Sequence, residues 1–290
     1  MTIDAGDTFN IGGEFVVHRM GFGAMRLCGP FAAGPCADPV APSRVLRRAI
    51  ELGVDFIDTA DSYGPAVNEE QIAAALHPYP DGLIIATKGA TIRTPGDPRR
   101  RDYDNSPAYL RAAVEGSLRR LRLERIALYQ IHRLDGRTPL EESLGALERL
   151  RGEGKIGHVG LSEVDVPTLE AAHAITRIAT VQNLYNLAER RHQSVLDWCE
   201  RNEAAFIPWF PLGGGRGSDA DRVAEGIGAR LGASAKQVAL AWLLGKSPAM
   251  LLIPGTASVD HLEENVAACD VVLSPDDRAS LDAAARVATP

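Results

Sequence analysis

The chain has 290 residues, 45% of them hydrophobic and 24% charged, a composition that allows a globular protein to bury a large core without disulfides or metal. Its net charge of −7 argues against nucleic acid as the main partner, because phosphate backbones are bound by basic surfaces. No apolar run approaches the ~20 residues of a membrane span, and the N-terminus lacks the basic and apolar regions of a signal peptide, so we expect a cytoplasmic protein without a membrane partner.

The cysteines give no indication of a metal site. Cys28, Cys36, Cys199 and Cys269 form no C-x-x-C pair, and no His lies at ligand spacing from them. Cys28 and Cys36 share a Pro/Gly-rich loop and could bridge, but intracellular thiols are normally reduced. We therefore expect free thiols and no metal.

One pattern recurs along the chain: a short aliphatic run, a Gly/Pro-rich loop and an amphipathic helix. Each run is too short for a free-standing helix, and several are apolar on both faces, as are strands that are covered on both sides. The predicted strands are residues 20–24, 54–58, 83–88, 126–132, 156–161, 180–182, 205–209 and 250–253. Ahead of them, residues 9–18 have Gly12-Gly13 at their centre and the pattern of a β-hairpin.

Helix-start signals lie between the predicted strands. Ser43 is expected to cap a helix over residues 44–52. Ser106, followed by proline, is predicted to begin the helix after the third strand, since proline fits the first helical turn. Asp165 is predicted to begin a later one.

Eight strands alternating with about as many helices favour a (β/α)8 TIM barrel, with an N-terminal β-hairpin closing the barrel floor. No low-complexity linker interrupts the chain, so residues 1–290 are expected to form a single domain. The alternative is a doubly wound open sheet, but no G-x-G-x-x-G follows a strand.

Polar side chains stand where successive strands end. Asp58, Lys88, His132 and Ser162 each follow such a run. Taken singly, each has a structural interpretation, such as a solvated lysine or a turn-capping aspartate. Because catalytic groups of such barrels lie at the C-terminal ends of strands, their shared placement favours a catalytic site.

Tyr63 follows Asp58 closely and could exchange a proton with a carbonyl substrate. A free tyrosine has a pKa of about 10, and a nearby ammonium favours the phenolate, so we expect Lys88 to lower the pKa of Tyr63. Asp58 would pair with Lys88, and His132 would donate a ring N–H to the substrate oxygen. The predicted catalytic residues are Tyr63, Lys88, Asp58 and His132.

Four motifs in these strand ends resemble the aldo-keto reductase superfamily. Its Asp/Tyr signature is similar to residues 56–64, FIDTADSYG, and its lysine motif to residues 86–88, ATK. Its histidine motif is similar to residues 128–132, LYQIH, and a cofactor-contacting strand end to residues 160–162, GLS. The resemblance implies hydride transfer between a nicotinamide cofactor and a carbonyl or alcohol, with Tyr63 as the general acid/base.

The same resemblance implies where the cofactor binds. Ser162 and Gln182 match positions that hold the nicotinamide carboxamide, and Trp209 matches an aromatic position that stacks on the ring. Such a platform would present one hydride face to the carbonyl carbon. The other positions implied to contact the cofactor are Gly23, Ala24, Met25, Asp58, Pro211, Leu212, Gly213, Gly214, Gly215, Arg216, Ile253, Gly255, Thr256, Ser258, His261, Glu264 and Asn265.

The cofactor segments depart from the commonest pattern of the family. Gly255 stands where a Lys is frequent, His261 where an Arg is frequent, and Glu163 where an Asn is more common. A histidine is only partly charged at neutral pH, which weakens the hold on a 2′-phosphate. Thr256 and Ser258 can still bind a phosphate, so NADPH is expected, with NADH as the alternative.

Residues 21–27, 75–80 and 206–215 resemble the pyridoxal reductase-like branch. The expected function is therefore an NADPH-dependent carbonyl reductase of pyridoxal or another small aromatic aldehyde, acting as a monomer, with a homo-oligomer as the alternative. Two other functions stay open: a non-catalytic nicotinamide-binding regulatory subunit on the same fold, and a barrel enzyme in which Lys88 forms a Schiff base.

Overall fold

The structure of the protein is a computed structural model, which describes residues 7–94, 96–213 and 218–284. Its strands are β1 Thr8–Ile11, β2 Phe15–His18, β3 Phe22–Gly23, β4 Phe56–Asp58, β5 Ile84–Gly89, β6 Thr91–Thr94, β7 Asp97–Tyr103, β8 Ile126–Ile131, β9 Ile156–Ser162, β10 Ile178–Gln182 and β11 Ala205–Phe206. Its helices are α1 Ala41–Glu51, α2 Val67–Leu76, α3 Pro107–Leu121, α4 Leu140–Gly152, α5 Val166–Ile175, α6 Gln193–Arg201, α7 Asp219–Leu231, α8 Ala235–Lys246, α9 Val259–Val266 and α10 Pro275–Ala284.

A parallel sheet closes into a barrel around the centre of the molecule. Seven strands pair in the order β11-β10-β9-β8-β5-β4-β3. Residues 250–252 lie between the two edges of this sheet and close it. Met250 pairs in parallel with Phe206 of β11, and Leu252 pairs in parallel with Met20, just before β3. The predicted (β/α)8 barrel is confirmed, with an eighth strand so short that it makes single bridges to its neighbours.

The barrel interior is apolar at the bottom and polar at the top, because inward side chains recur every second residue along a strand. Ala86 and Leu128 belong to the buried apolar cluster that fills the interior. Two residues further along the same faces stand Lys88 and Gln130, both fully buried. The strand period thus places the polar side chains in one layer above the apolar one.

The N-terminal hairpin of β1 and β2 closes the barrel floor, as predicted. Its turn passes through Gly12 and Gly13, whose φ angles of 64° and 83° glycine adopts without a Cβ clash. Ile11 and Val17 are fully buried. They belong to the same interior apolar cluster as Phe56. Burial of these side chains attaches the hairpin to the barrel.

A second hairpin, formed by β6 and β7, lies at the opposite end, where no strand was predicted. Strands β6 and β7 pair there in antiparallel register. Strand β7 was not predicted because it contains the run Arg99-Arg100-Arg101, and charged residues are not typical of strands. This hairpin covers the loop after β4, where Arg93 Nε donates a hydrogen bond to Ser62 O at 3.1 Å.

The helix starts agree with prediction at some positions and differ at one. Ser106 and Asp165 cap α3 and α5, each accepting a hydrogen bond from the backbone three residues further on. Ser43 does not cap α1, which begins at Ala41 with Pro42 in its first turn. The fixed φ of proline suits that turn, so the helix starts earlier and Ser43 lies within it.

Within the described ranges, no helix is both long enough and apolar enough to cross a bilayer. The same part of the chain holds no group of three or more His, Cys, Asp or Glu side chains arranged to bind a metal ion. All four cysteines are free thiols.

Candidate active site

Lys88 is the centre of a buried polar cluster at the C-terminal end of the barrel strands. Its Nζ lies 2.5 Å from Asp58 Oδ2, 2.9 Å from Thr59 O and 3.5 Å from the hydroxyl of Tyr63. Lys88 is 0% exposed and Asp58 2% exposed, so the carboxylate compensates a charge that water cannot reach. The structure thus brings together the three side chains that were predicted to act as a unit.

Two amides hold Asp58 from its other side. Asp58 Oδ1 accepts hydrogen bonds from Gln130 Nε2 at 3.1 Å and from Gln182 Nε2 at 3.0 Å. With both oxygens engaged, the carboxylate has a fixed orientation and in turn fixes Lys88. Gln130 was not predicted as a site residue, although its inward position two residues before His132 was an available signal.

The pKa of Tyr63 is raised above its usual value near 10, which corrects the expectation that Lys88 lowers it. Burial of the ring disfavours the phenolate and outweighs the attraction of Lys88, and Asp58 adds to the effect of burial. Burial also acts to lower the pKa of Lys88, but Asp58 and Tyr63 raise it on balance. At neutral pH the site therefore contains a protonated tyrosine beside an ammonium, the state of a proton donor.

His132 lies edge-on to Tyr63, with ring centroids 5.8 Å apart and planes at 82°. Burial lowers the pKa of His132 well below its usual value, and the positive charges of Lys88 and Arg133 lower it further. The imidazole is therefore neutral at pH 7 and carries one N–H. It can donate a hydrogen bond to an oxygen beside Tyr63, but it is not the proton source.

Ser162 and Gln182, on the next strands, leave acceptor positions that face the cavity. Ser162 Oγ donates to Gln182 O at 2.7 Å and accepts from an Arg133 N–H at 2.8 Å, which leaves one lone pair. Gln182 directs its NH2 group to Asp58, and no described residue donates to its Oε1. Two acceptors side by side fit the NH2 group of a primary amide, such as a nicotinamide carboxamide.

Trp209 forms a flat wall of the same cavity and is held by Glu163. The indole N–H donates to Glu163 Oε1 at 2.6 Å, and the same oxygen accepts from Leu184 N at 2.7 Å. Glu163 has a φ of 55°, in the left-handed region where Asn is enriched over larger residues. The departure from Asn at this position thus supplies a carboxylate that orients the aromatic platform.

A cavity of about 540 Å³ lies between these groups. The predicted site residues that line it are Asp58, Tyr63, His132, Gly23, Met25, Ser162, Gln182, Trp209, Pro211, Leu212, Gly213, Ile253 and Gly255. Lys88 stands behind Asp58 and Tyr63 and is not part of the lining. The predicted catalytic residues other than Lys88 and the predicted nicotinamide-binding residues therefore line one cavity.

The remaining predicted cofactor residues lie away from this cavity or outside the described residues. Thr256 and Ser258 follow Gly255 at the start of α9, and the other members of this group are Ala24, His261, Glu264 and Asn265. Ser258 caps α9 by accepting from His261 N at 3.4 Å. The glycine-rich residues Gly214, Gly215 and Arg216 lie outside the described residues.

A lysine, which is frequent in the family at the position of Gly255, would not fit here without a shift of the backbone. A Cβ placed on Gly255 would lie 2.5 Å from Gly23 O, and one placed on Gly23 would lie 2.5 Å from Ile253 O. Contacts this short are not tolerated between a side chain and rigid backbone. Close approach of the first and last barrel segments therefore requires glycine at both positions.

Several cavity residues were not predicted from the sequence. They are Arg26, Thr91, Arg93, Arg101, Arg133, Phe210 and Pro254. Arg133 directly follows His132, and its strand-end position was an available signal. Arg93 and Arg101 had no such signal, because the strands that carry them were not predicted.

Comparison with known proteins gives matches over nearly the whole chain. The profile of the Aldo/keto reductase family matches residues 19–286. Pyridoxine 4-dehydrogenase of Escherichia coli (strain K12) is 41% identical over 286 residues, which cover 97% of this chain and 99% of that protein. An oxidoreductase of Schizosaccharomyces pombe is 44% identical over 270 residues, covering 93% of this chain and 87% of that protein.

Among solved structures, an aldo/keto reductase from Klebsiella pneumoniae in complex with NADP and acetate has the same fold. It superposes with a TM-score of 0.80 at 28% identity, and the match covers 96% of this chain and 94% of that one.

Proposed function

The chain belongs to the aldo/keto reductase family, and on that premise we propose that it reduces a small aromatic aldehyde with NADPH, using Tyr63 as the general acid. It is an oxidoreductase of carbonyl and alcohol groups. The observation that carries the assignment of the acid is the position of the Tyr63 hydroxyl, which lines the cavity with Lys88 Nζ 3.5 Å behind it.

In the proposed reaction an aldehyde, NADPH and one proton give a primary alcohol and NADP⁺. The cofactor, when bound, supplies the hydride that reduces the carbonyl carbon. Tyr63 donates its hydroxyl proton to the carbonyl oxygen and recovers a proton from solvent. Lys88 stabilises the transient phenolate, and the neutral ring of His132 donates a hydrogen bond to the same oxygen.

The residues available to hold the cofactor support NADPH as the reductant, with NADH as the alternative. Ser162 and Gln182 offer acceptors to the carboxamide NH2 group, and Trp209 offers a flat surface to the nicotinamide ring. Thr256 and Ser258 carry hydroxyls that suit a 2′-phosphate at the start of α9. The Klebsiella pneumoniae structure, with the same fold, contains NADP.

Two observations support pyridoxal or a related aromatic aldehyde as the substrate. The Escherichia coli relative at 41% identity is a pyridoxine 4-dehydrogenase. The cavity lining also includes a second aromatic side chain, Phe210, besides the Trp209 proposed for the nicotinamide ring, and such a side chain suits a planar substrate.

The charge state of Lys88 disfavours the alternative in which it forms a Schiff base. That chemistry needs a neutral amine, whereas the carboxylate of Asp58, 2.5 Å from Nζ, contributes to raising the pKa of Lys88. A complete catalytic set inside a cavity likewise favours an enzyme over a regulatory subunit.

The test is NADPH oxidation with a panel of aldehydes that includes pyridoxal, for the wild type and Tyr63→Phe. The variant should lose about 10²- to 10⁴-fold in kcat, the usual contribution of a general acid, while it still binds NADPH. Tyr79→Phe is the matched control, because the Tyr79 hydroxyl donates to Leu121 O and lies outside the cavity lining. A folded Tyr63→Phe variant with wild-type turnover would show that another group is the acid.

A further inference from the structure

We propose that Arg93, Arg101 and Arg133 form an anion subsite that binds an acidic group, a carboxylate or a phosphate, carried by the aldehyde substrate. This inference rests on the proposed function, because it assigns a substrate class to the same cavity. All three arginines line that cavity.

Two of the arginines face each other across the second hairpin. Arg93 on β6 and Arg101 on β7 are direct partners in the antiparallel register. Like charges in directly opposed positions destabilise a strand pair. Burial lowers the pKa of Arg93, and the positive charge of Arg101 lowers it further. In the described part of the chain, no carboxylate forms an ion pair with Arg101. An anion between the two guanidinium groups would relieve their repulsion.

Arg133 adds a third positive charge next to the catalytic histidine. Its guanidinium donates to His132 O at 2.7 Å and to Ser162 Oγ at 2.8 Å, and its Cζ lies 5.9 Å from the ring centroid of Trp209. These contacts hold the group in place. No ion pair to Arg133 occurs among the residues described, although the carboxylate of Glu163 attracts it from a longer distance. Burial lowers the pKa of Arg133, as for a charge that has lost water, and the attraction of Glu163 offsets this only in part.

The charges that line the cavity are strongly one-sided. Besides these three arginines, Arg26 is present, and the carboxylate of Asp58 is already paired with Lys88. The chain as a whole carries a net charge of −7, so the positive potential is local to the cavity. A cleft lined by one sign of charge concentrates ligands of the opposite sign.

The hairpin arginines stand on the side of the catalytic tyrosine. Arg93 donates to Ser62 O at 3.1 Å and to Ala32 O at 3.4 Å, which places it over the residue next to Tyr63. The segments proposed to hold the cofactor are residues 23–25, Ser162, Gln182, 209–213 and 253–265, and none of them belongs to the hairpin. The subsite therefore serves the substrate, and planar guanidinium groups bind carboxylate or phosphate through paired hydrogen bonds.

The test compares aldehydes that differ by one acidic group. The pairs are 4-carboxybenzaldehyde with benzaldehyde, and pyridoxal 5′-phosphate with pyridoxal, so that the carboxylate and the phosphate are distinguished. In Arg101→Gln, the ratio of kcat/KM for the acidic aldehyde to kcat/KM for its neutral partner should fall about tenfold in at least one pair, the size of one charged hydrogen bond. Arg101 is exposed, so its replacement should not impair folding.

Arg100→Gln is the matched control, because Arg100 is an exposed neighbour on the same strand and is not part of the cavity lining. It should keep both ratios. The subsite would be wrong if Arg101→Gln left both ratios at their wild-type values.

A binding measurement separates this inference from the proposed function. Benzoate is titrated calorimetrically into the NADP⁺-loaded wild type and Arg101→Gln. Weaker binding to the variant supports the subsite even if none of the aldehydes is reduced, an outcome that would refute the proposed function alone. Equal affinities would overturn the subsite and leave the reductase unaffected.

Discussion

The ammonium of Lys88 lies 2.5 Å from the carboxylate of Asp58 in the interior of the barrel, where Lys88 is 0% exposed. Each of these two charges is tolerated there because the other is present. We expect the pair to contribute to stability as well as to the proposed chemistry, since it sets the charge next to Tyr63.

Asp58→Asn should lower the free energy of unfolding by about 3–5 kcal/mol, because it leaves a buried ammonium without its counter-charge. Urea denaturation followed by circular dichroism measures the change. Asp38→Asn is the control, since Asp38 pairs with Arg44 at the surface and an exposed pair contributes about 0–1 kcal/mol. If both variants lowered the free energy of unfolding by the same small amount, the buried pair would not have the expected role in stability.

The rate of aldehyde reduction should be insensitive to pH between about 6 and 9, well below the usual tyrosine pKa of about 10. The pKa of Tyr63 is raised by burial, so its acid form persists through this range and is lost only above it. The pKa of His132 is lowered, so the imidazole stays neutral at the acid end. The measurement is kcat against pH with saturating NADPH.

A phenolate that formed at neutral pH would instead give a rate that falls as pH rises through about 7, as for a general acid with a pKa in that range. Such a limb in the profile of the wild type, absent from that of Tyr63→Phe, would show that Lys88 outweighs burial. Solvent isotope effects measured at both ends of the range would identify the limb as a proton transfer.

Glu163→Ala should raise KM for NADPH about tenfold, because the indole of Trp209 loses a charge-assisted hydrogen bond of 2.6 Å whose contribution is about 1.5–3 kcal/mol. Glu163→Gln should restore most of the affinity, since its amide oxygen can still accept the indole N–H. A purely structural role would lower stability in both variants without this difference between them. Glu203→Ala, at another position of positive φ, is the control.

His261→Arg should strengthen NADPH binding several-fold and leave NADH binding unchanged. A guanidinium binds a phosphate through paired hydrogen bonds, which an imidazole cannot form, and His261 is exposed at the start of α9. Fluorescence titration with both cofactors measures the effect. A parallel gain for NADH would mean that position 261 does not contact the 2′-phosphate. Gly255→Lys is no substitute, because its Cβ would meet Gly23 O.

Much of the fold was predictable because its signals are local. A strand alternates its side chains with a period of two, so Asp58, Lys88 and His132 could be placed at strand ends from the apolar runs before them. The glycine pair at the centre of residues 9–18 likewise indicated the hairpin that closes the floor. The second hairpin was not predicted, since its arginine run does not resemble a strand.

The sequence by itself placed Asp58, Lys88 and His132 at the ends of successive barrel strands, because strand period and chain order are properties of the backbone. Tertiary structure decided their chemical state. Burial set the direction of the Tyr63 pKa against the opposing charge of Lys88. Strand pairing placed Arg101 opposite Arg93, and contact across two loops gave Trp209 its partner in Glu163. Desolvation and opposed charges depend on residues distant in the chain, which no local pattern records.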